Sequence, residues 1–191
     1  MNSLAISDGL LFLVACYFAL QVRMPIAFRL GSAILGAAAI LGALRFSGLL
    51  PLPQMHDFFS TLGASSAFAL VSASVIWPNQ IVSLKAKYAS ILFIISAALG
   101  LIMVVGFEFV IFGQLMAFLS VFLVAISSLK NKRIDGFLGA LAMATGFLLF
   151  TMEYAIPGYL QPGDFLHIFT AVGLVVFGQI HFSLERLKEE Y

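Results

Sequence analysis

The chain has 191 residues, 62% of them hydrophobic and only 10% charged, with a formal net charge of +1 and a mean hydropathy of +1.08. A soluble domain carries about 25% charged residues, so a solvated globular enzyme and a disordered chain are both excluded. One cysteine excludes a disulfide framework or a cysteine-rich metal site, and near-zero charge gives no reason to expect nucleic acid.

A helix crossing a hydrocarbon core of about 30 Å needs about 20 apolar residues. Seven segments have that character: residues 4–22, 25–50, 58–77, 88–106, 109–129, 134–152 and 165–184. Their apolar runs are continuous and lack the period-2 alternation of a barrel. The expected fold is therefore all-α, a single domain of seven transmembrane helices over residues 1–191.

The first segment holds Asp8, and its uninterrupted apolar run begins at Gly9. Leu13-Val14-Ala15-Cys16 resembles a bacterial lipobox, but no Lys or Arg precedes it and the apolar run continues beyond it. Cys16 is expected to be a packing residue. Small residues recur four apart in the second segment (Ser32 and Gly36, Ala38 and Gly42), the third (Thr61, Ser65, Ala69, Ala73) and the sixth (Gly136, Ala140, Ala144). Such stripes let membrane helices approach closely. They predict that these three helices lie inside the bundle or form a self-association face, and that the Phe- and Leu-rich fifth faces lipid. The serines of the third segment are expected to bond to carbonyls one turn back.

From Tyr88 to Leu129 the chain stays apolar for about 42 residues, which as one helix would be about 63 Å, twice the core thickness. It has to fold back, and Gly106-Phe107-Glu108 joins a flexible residue to a charge. The longest connections are 78–87 and 153–164. Met55-His56-Asp57-Phe58 at the third segment and Gly163-Asp164-Phe165 at the seventh echo each other, as in a three-plus-one-plus-three repeat.

With seven spans, alternate ends fall on opposite sides. Arg23, Arg29, Lys85, Lys87, Lys130, Lys132, Arg133, Arg186 and Lys188 collect on one side, and of the ten basic residues only Arg45 falls on the other. By the positive-inside rule the amino terminus is expected outside and the carboxyl terminus in the cytoplasm, in the cytoplasmic (inner) membrane. Asp8, Asp57, Glu108, Glu153 and Asp164 then gather at the outer ends and form an acidic mouth.

No ionisable residue lies near the middle of a span, which disfavours a midplane proton relay, a voltage sensor or a retinal lysine. The candidate site is the outer rim. His56 and Ser60 are four apart, and Asp164 and His167 three apart, so each pair shares a helix face. If the third and seventh helices are neighbours, His56, Asp57, Asp164 and His167 could hold zinc or another divalent metal. Arg45, Ser60, Glu108 and Glu153 are the expected ligand-binding residues around them. Arg45 is expected to pair with Glu153 or Asp164, or to hold a phosphate or carboxylate. Two histidines at one depth are also the minimum for a haem, but zinc is the expected metal. His181 lies about 21 Å along the helix from His167 and is expected to pair with Glu185.

Seven helices, an outside amino terminus and a His/Asp/Ser set resemble the topology of the alkaline ceramidase and progestin/adipoQ receptor superfamily of membrane zinc hydrolases. That resemblance implies a zinc-bound water attacking a lipid amide or ester, with Asp57 or Asp164 as base and Ser60 or Arg45 stabilising charge. The family's histidine pair, four apart on the last helix, is not repeated: Gly163 and Ala171 flank His167 at that spacing. No catalytic pattern is present, and the first expectation is a non-catalytic membrane module. It would bind a partner, a lipid or a small ligand at the acidic mouth, or associate with itself through the small-residue faces. A lipid hydrolase and a transporter or channel for a small neutral or cationic solute are the alternatives.

Overall fold

The computed structural model describes residues 2–189, with side chains to residue 185. It is 82% helical, with no strand among the described residues. Seven helices are long and apolar enough to cross a membrane: α1 Ser3–Leu20, α2 Ile26–Phe46, α3 Pro53–Ile76, α4 Ala86–Gly106, α5 Ile111–Lys130, α6 Ile134–Thr151 and α7 Pro162–Glu185. This is the architecture of a multi-pass membrane protein, and each helix lies on one of the expected segments.

The helix ends follow local chemistry. α2 stops at Phe46, short of residue 50, because Gly48 adopts φ +78° and turns the chain out. The Leu49 and Leu50 amides then bond back to the Leu44 carbonyl at 3.1 and 3.2 Å. α3 starts at Pro53, earlier than residue 58, since proline at the first helical position has no N–H to satisfy. That extension takes His56 and Asp57 into the helix. The α4–α5 chain reversal falls where the sequence requires it, with Glu108 at φ +54°. α3 ends at Trp77-Pro78, and its last carbonyls are met by two distant groups. Ser83 Oγ donates to Ala73 and Trp77 (3.1 and 2.6 Å), and Arg133 donates to Val75 (2.9 Å).

α3 is the central helix, with 67% of its apolar window buried against 50% for α2 and 22% for α4. It packs on α2 through Gly31, where an added Cβ would sit 2.8 Å from the Ala67 carbonyl, and on α4 through Gly100, which faces Ser65. Phe68 meets Phe147 of α6 edge-on, with ring centroids 5.0 Å apart. Midway along, residues 63–67 form one wide π turn, in which a helix accommodates an extra residue. The hydroxyls of Ser65 and Ser66 bond back to Thr61 and Leu62 (2.7 and 2.6 Å), as the sequence predicts.

The small-residue stripes lead correctly to α2 and α3, but not to α6. Its buried share, 33%, equals that of α5. The reason is that its small residues all lie on one side: Gly139 meets Phe177 and Gly146 meets Phe169 of α7, and Gly136 meets Ser128 of α5. The opposite face, with Leu138, Leu141 and Leu148, is exposed. The peripheral helix is α4, whose Ile91, Ile94, Ile95 and Ile102 are exposed.

Candidate functional site

The starts of α1, α3 and α7 and the end of α2 bring together the polar groups of the acidic end. α1 and α7 begin side by side. Asn2 caps α1 by accepting from the Leu4 amide (3.2 Å), and Gln161, just before α7, donates to the same Asn2 oxygen (3.0 Å). Asp164, in the first turn of α7, accepts from the Gln161 amide at 2.6 Å, the carboxylate half of a capping box. Its other oxygen accepts from Ser7 Oγ at 2.6 Å. Asp164 is 0% exposed and Asp8 1%. Asp8 Oδ1 lies 3.3 Å from His167 Nδ1, and Ser7 Oγ lies 3.2 Å from the same nitrogen.

Asp8 is where the energetics are unbalanced. Its second oxygen, Oδ2, is buried without a hydrogen-bond partner and is held against Gly42 of α2, in the space a Cβ would take. A buried carboxylate oxygen with no partner forfeits its hydration. Asp8 and Asp164 also sit within electrostatic reach of each other, with one imidazole between two acids. Such a group inside an apolar helix is costly.

A second set forms where α2 meets α3. Arg45 Nη1 donates to Asp57 Oδ1 at 2.8 Å and to His56 Nδ1 at 3.0 Å, and Ser60 Oγ is 3.4 Å from His56 Nε2. The His56 ring packs edge-on against Phe46, 5.5 Å between centroids. Asp57 is well exposed, at 66% of its side chain. The imidazoles of His56 and His167 lie within electrostatic reach of one another, so the two sets face each other across the end of the bundle.

Each set holds a serine, a histidine and an aspartate, and neither is wired for nucleophilic catalysis. A hydrolytic triad places serine and carboxylate on opposite ring nitrogens, so that the ring can take the hydroxyl proton. Around His167, Ser7 and Asp8 both approach Nδ1, and the Ser7 proton is given to Asp164. Around His56 the guanidinium can only donate, so Nδ1 accepts and Nε2 carries the hydrogen. Ser60 therefore faces an N–H and not a base.

The four residues expected to hold a metal are thus divided, His56 and Asp57 on Arg45, Asp164 and His167 on Ser7 and Asp8. Among the described residues no three His, Cys, Asp or Glu side chains are grouped to hold a metal ion, and a guanidinium on His56 repels a second cation. The residues do not fit the zinc that the family resemblance implies. After zinc loading and washing, the purified protein is expected to retain well under one equivalent by elemental analysis. One full equivalent, lost in His56→Ala, would reverse that reading.

Arg45 and Ser60 join the site, with Asp57 and His56 as Arg45's partners in place of Glu153 or Asp164. Glu108 and Glu153 stand apart, exposed in turns at φ +54° and +52°. Ser7 is a residue the sequence did not single out, and Asp8 was placed in the acidic mouth but not among the binding or metal residues. The available signal was an acid a turn and a half inside an apolar helix. His181 turns inward as well: it is buried, 3.3 Å from Ser74 Oγ and edge-on to Phe28, and not paired with Glu185. Comparison with known families, curated proteins and solved structures finds no match for the chain.

Proposed function

We propose that the chain is a non-catalytic membrane module of the cytoplasmic (inner) membrane, with its amino terminus outside and its carboxyl terminus in the cytoplasm. Its ligand is a proton or a small cation that donates hydrogen bonds, such as ammonium, held at the outer end by Asp8 beside Asp164 and His167. The observation that carries this reading is the unpartnered Asp8 Oδ2, buried beside a second carboxylate. A positive charge arriving there is the one change that completes the hydrogen bonding and balances the charge together. The wiring of the two histidines supports binding over hydrolysis. The serines midway along α3 bond to their own backbone, so they offer no polar lining for a path through the bundle.

The test is thermal unfolding of the detergent-solubilised protein with ammonium, with Na⁺, K⁺ and tetramethylammonium as cations that donate no hydrogen bond, and across pH. Ammonium or a lower pH is expected to stabilise the wild type and to leave Asp8→Asn unmoved; no response to either defeats the proposal. The orientation rests on the distribution of Lys and Arg. Reporters fused after Tyr191 and inserted at Gly158 are expected in opposite compartments, with the Tyr191 reporter cytoplasmic.

A further inference from the structure

At the basic end, away from the Asp8 cluster, the α1–α2 turn, the α3–α4 turn and the last turns of α7 enclose a cavity of about 410 Å³. Its wall carries Arg23, Arg29 and His181, with Glu185 as the one acid among the described residues lining it. Arg29 is held in place: its Nε donates to the Ala19 carbonyl at 3.1 Å, satisfying the end of α1. That bond fixes the plane of the guanidinium and leaves its two terminal nitrogens without a partner among the described residues. Arg23 makes no ion pair among the described residues either. α2 begins on the same wall at Pro25, with no side chain capping its first amides, so its positive dipole end adds to the field. His181 is 5% exposed and is braced by Ser74 and Phe28.

We infer that this cavity binds a phosphate group presented at the membrane surface. A fixed guanidinium fork with free terminal nitrogens matches phosphate oxygens, and basic pockets between helices at a membrane boundary take anionic head groups. Met24, Pro25 and Leu184 give the wall an apolar stretch beside the polar Asn79, as the glycerol end of a lipid requires. A soluble phosphate ester offers the same charge without that apolar neighbour. The inference is independent of what the Asp8 cluster binds.

The experiment uses the full chain in nanodiscs of phosphatidylcholine, with and without phosphatidylglycerol, and reads retained lipid by native mass spectrometry. Phosphatidylglycerol is expected to be retained over phosphatidylcholine, and Arg29→Gln and Arg23→Gln each to weaken retention by roughly tenfold. Lys130→Gln, at the same end but outside the cavity, is expected to change nothing. Arg23 makes no ion pair or side-chain hydrogen bond among the described residues, so its variant reports even if Arg29→Gln fails to fold. Binding of glycerol 3-phosphate in phosphatidylcholine alone, lost in the arginine variants, assigns the site to a soluble ester. Equal retention of both lipids without glycerol 3-phosphate binding overturns the inference, as does retention that neither arginine variant alters.

Discussion

Asp8→Asn is expected to raise the unfolding midpoint of the detergent-solubilised protein, the reverse of what most substitutions in a core do. Asp8 pays the desolvation of a carboxylate for one 3.3 Å contact with His167, while its second oxygen has no partner. An amide of the same shape removes the buried charge, and the gain is of order 1–2 kcal/mol. For a chain of this length that amounts to roughly 2–8 °C. Stabilisation by an added cation is expected to vanish in the same variant, which separates a binding site from a packing residue. Asp164→Ala should move the other way, by about 2 kcal/mol, because both Asp164 oxygens are bonded, to Ser7 and to the Gln161 amide. Thermal melts of the two variants side by side provide the check. A lower midpoint for Asp8→Asn would make Asp8 a structural partner of His167 and remove it from the ligand site.

Gly173→Leu is expected to be among the most damaging single changes in the helix packing. A Cβ there would meet Met143 of α6 and stand 3.0 Å from the Gly139 carbonyl. Backbone cannot move aside as the end of a side chain can. Overpacking of this kind costs about 3 kcal/mol or more and should part α6 from α7, seen as lost resistance to graded SDS denaturation and as protease cleavage in the α6–α7 turn. Gly9→Leu is the matched control, since nothing lies within 4 Å of its Cβ position, and it should denature as the wild type does. Equal tolerance of both substitutions would mean that the α6–α7 contact contributes little to the fold.

The number and order of the helices were legible because a continuous apolar run of membrane length has one low-energy solution. The chain reversal at Glu108 was legible for the same reason, as a single helix from Tyr88 to Leu129 would overshoot the membrane. Helix-local parts of the site could also be read: His56 above Ser60 and Asp164 above His167 follow from helical spacing alone. The role of Asp8 could not, since the groups around it lie in α2 and α7; its own helix shows only an acid within an apolar run. Arg45 was directed to the wrong acid because the α2–α3 connection is tighter than it reads. Gly48, Pro51 and Pro53 return the chain at once and set Asp57 beside it. The Gly136–Ala140–Ala144 stripe overstated the burial of α6 because spacing shows that one face is small, not whether the opposite face is covered.

The π turn at residues 63–67 changes how α3 should be counted. By absorbing one residue it shifts the phase of the letters, so positions on its two sides are offset by about 100° from those of an uninterrupted helix. The Thr61–Ser65–Ala69–Ala73 ladder, a straight line on a helical wheel, is therefore broken in the molecule. Thr61, before the turn, bonds back to the Asp57 carbonyl beside the Arg45 cluster, while Ser65, within it, faces Gly100 of α4.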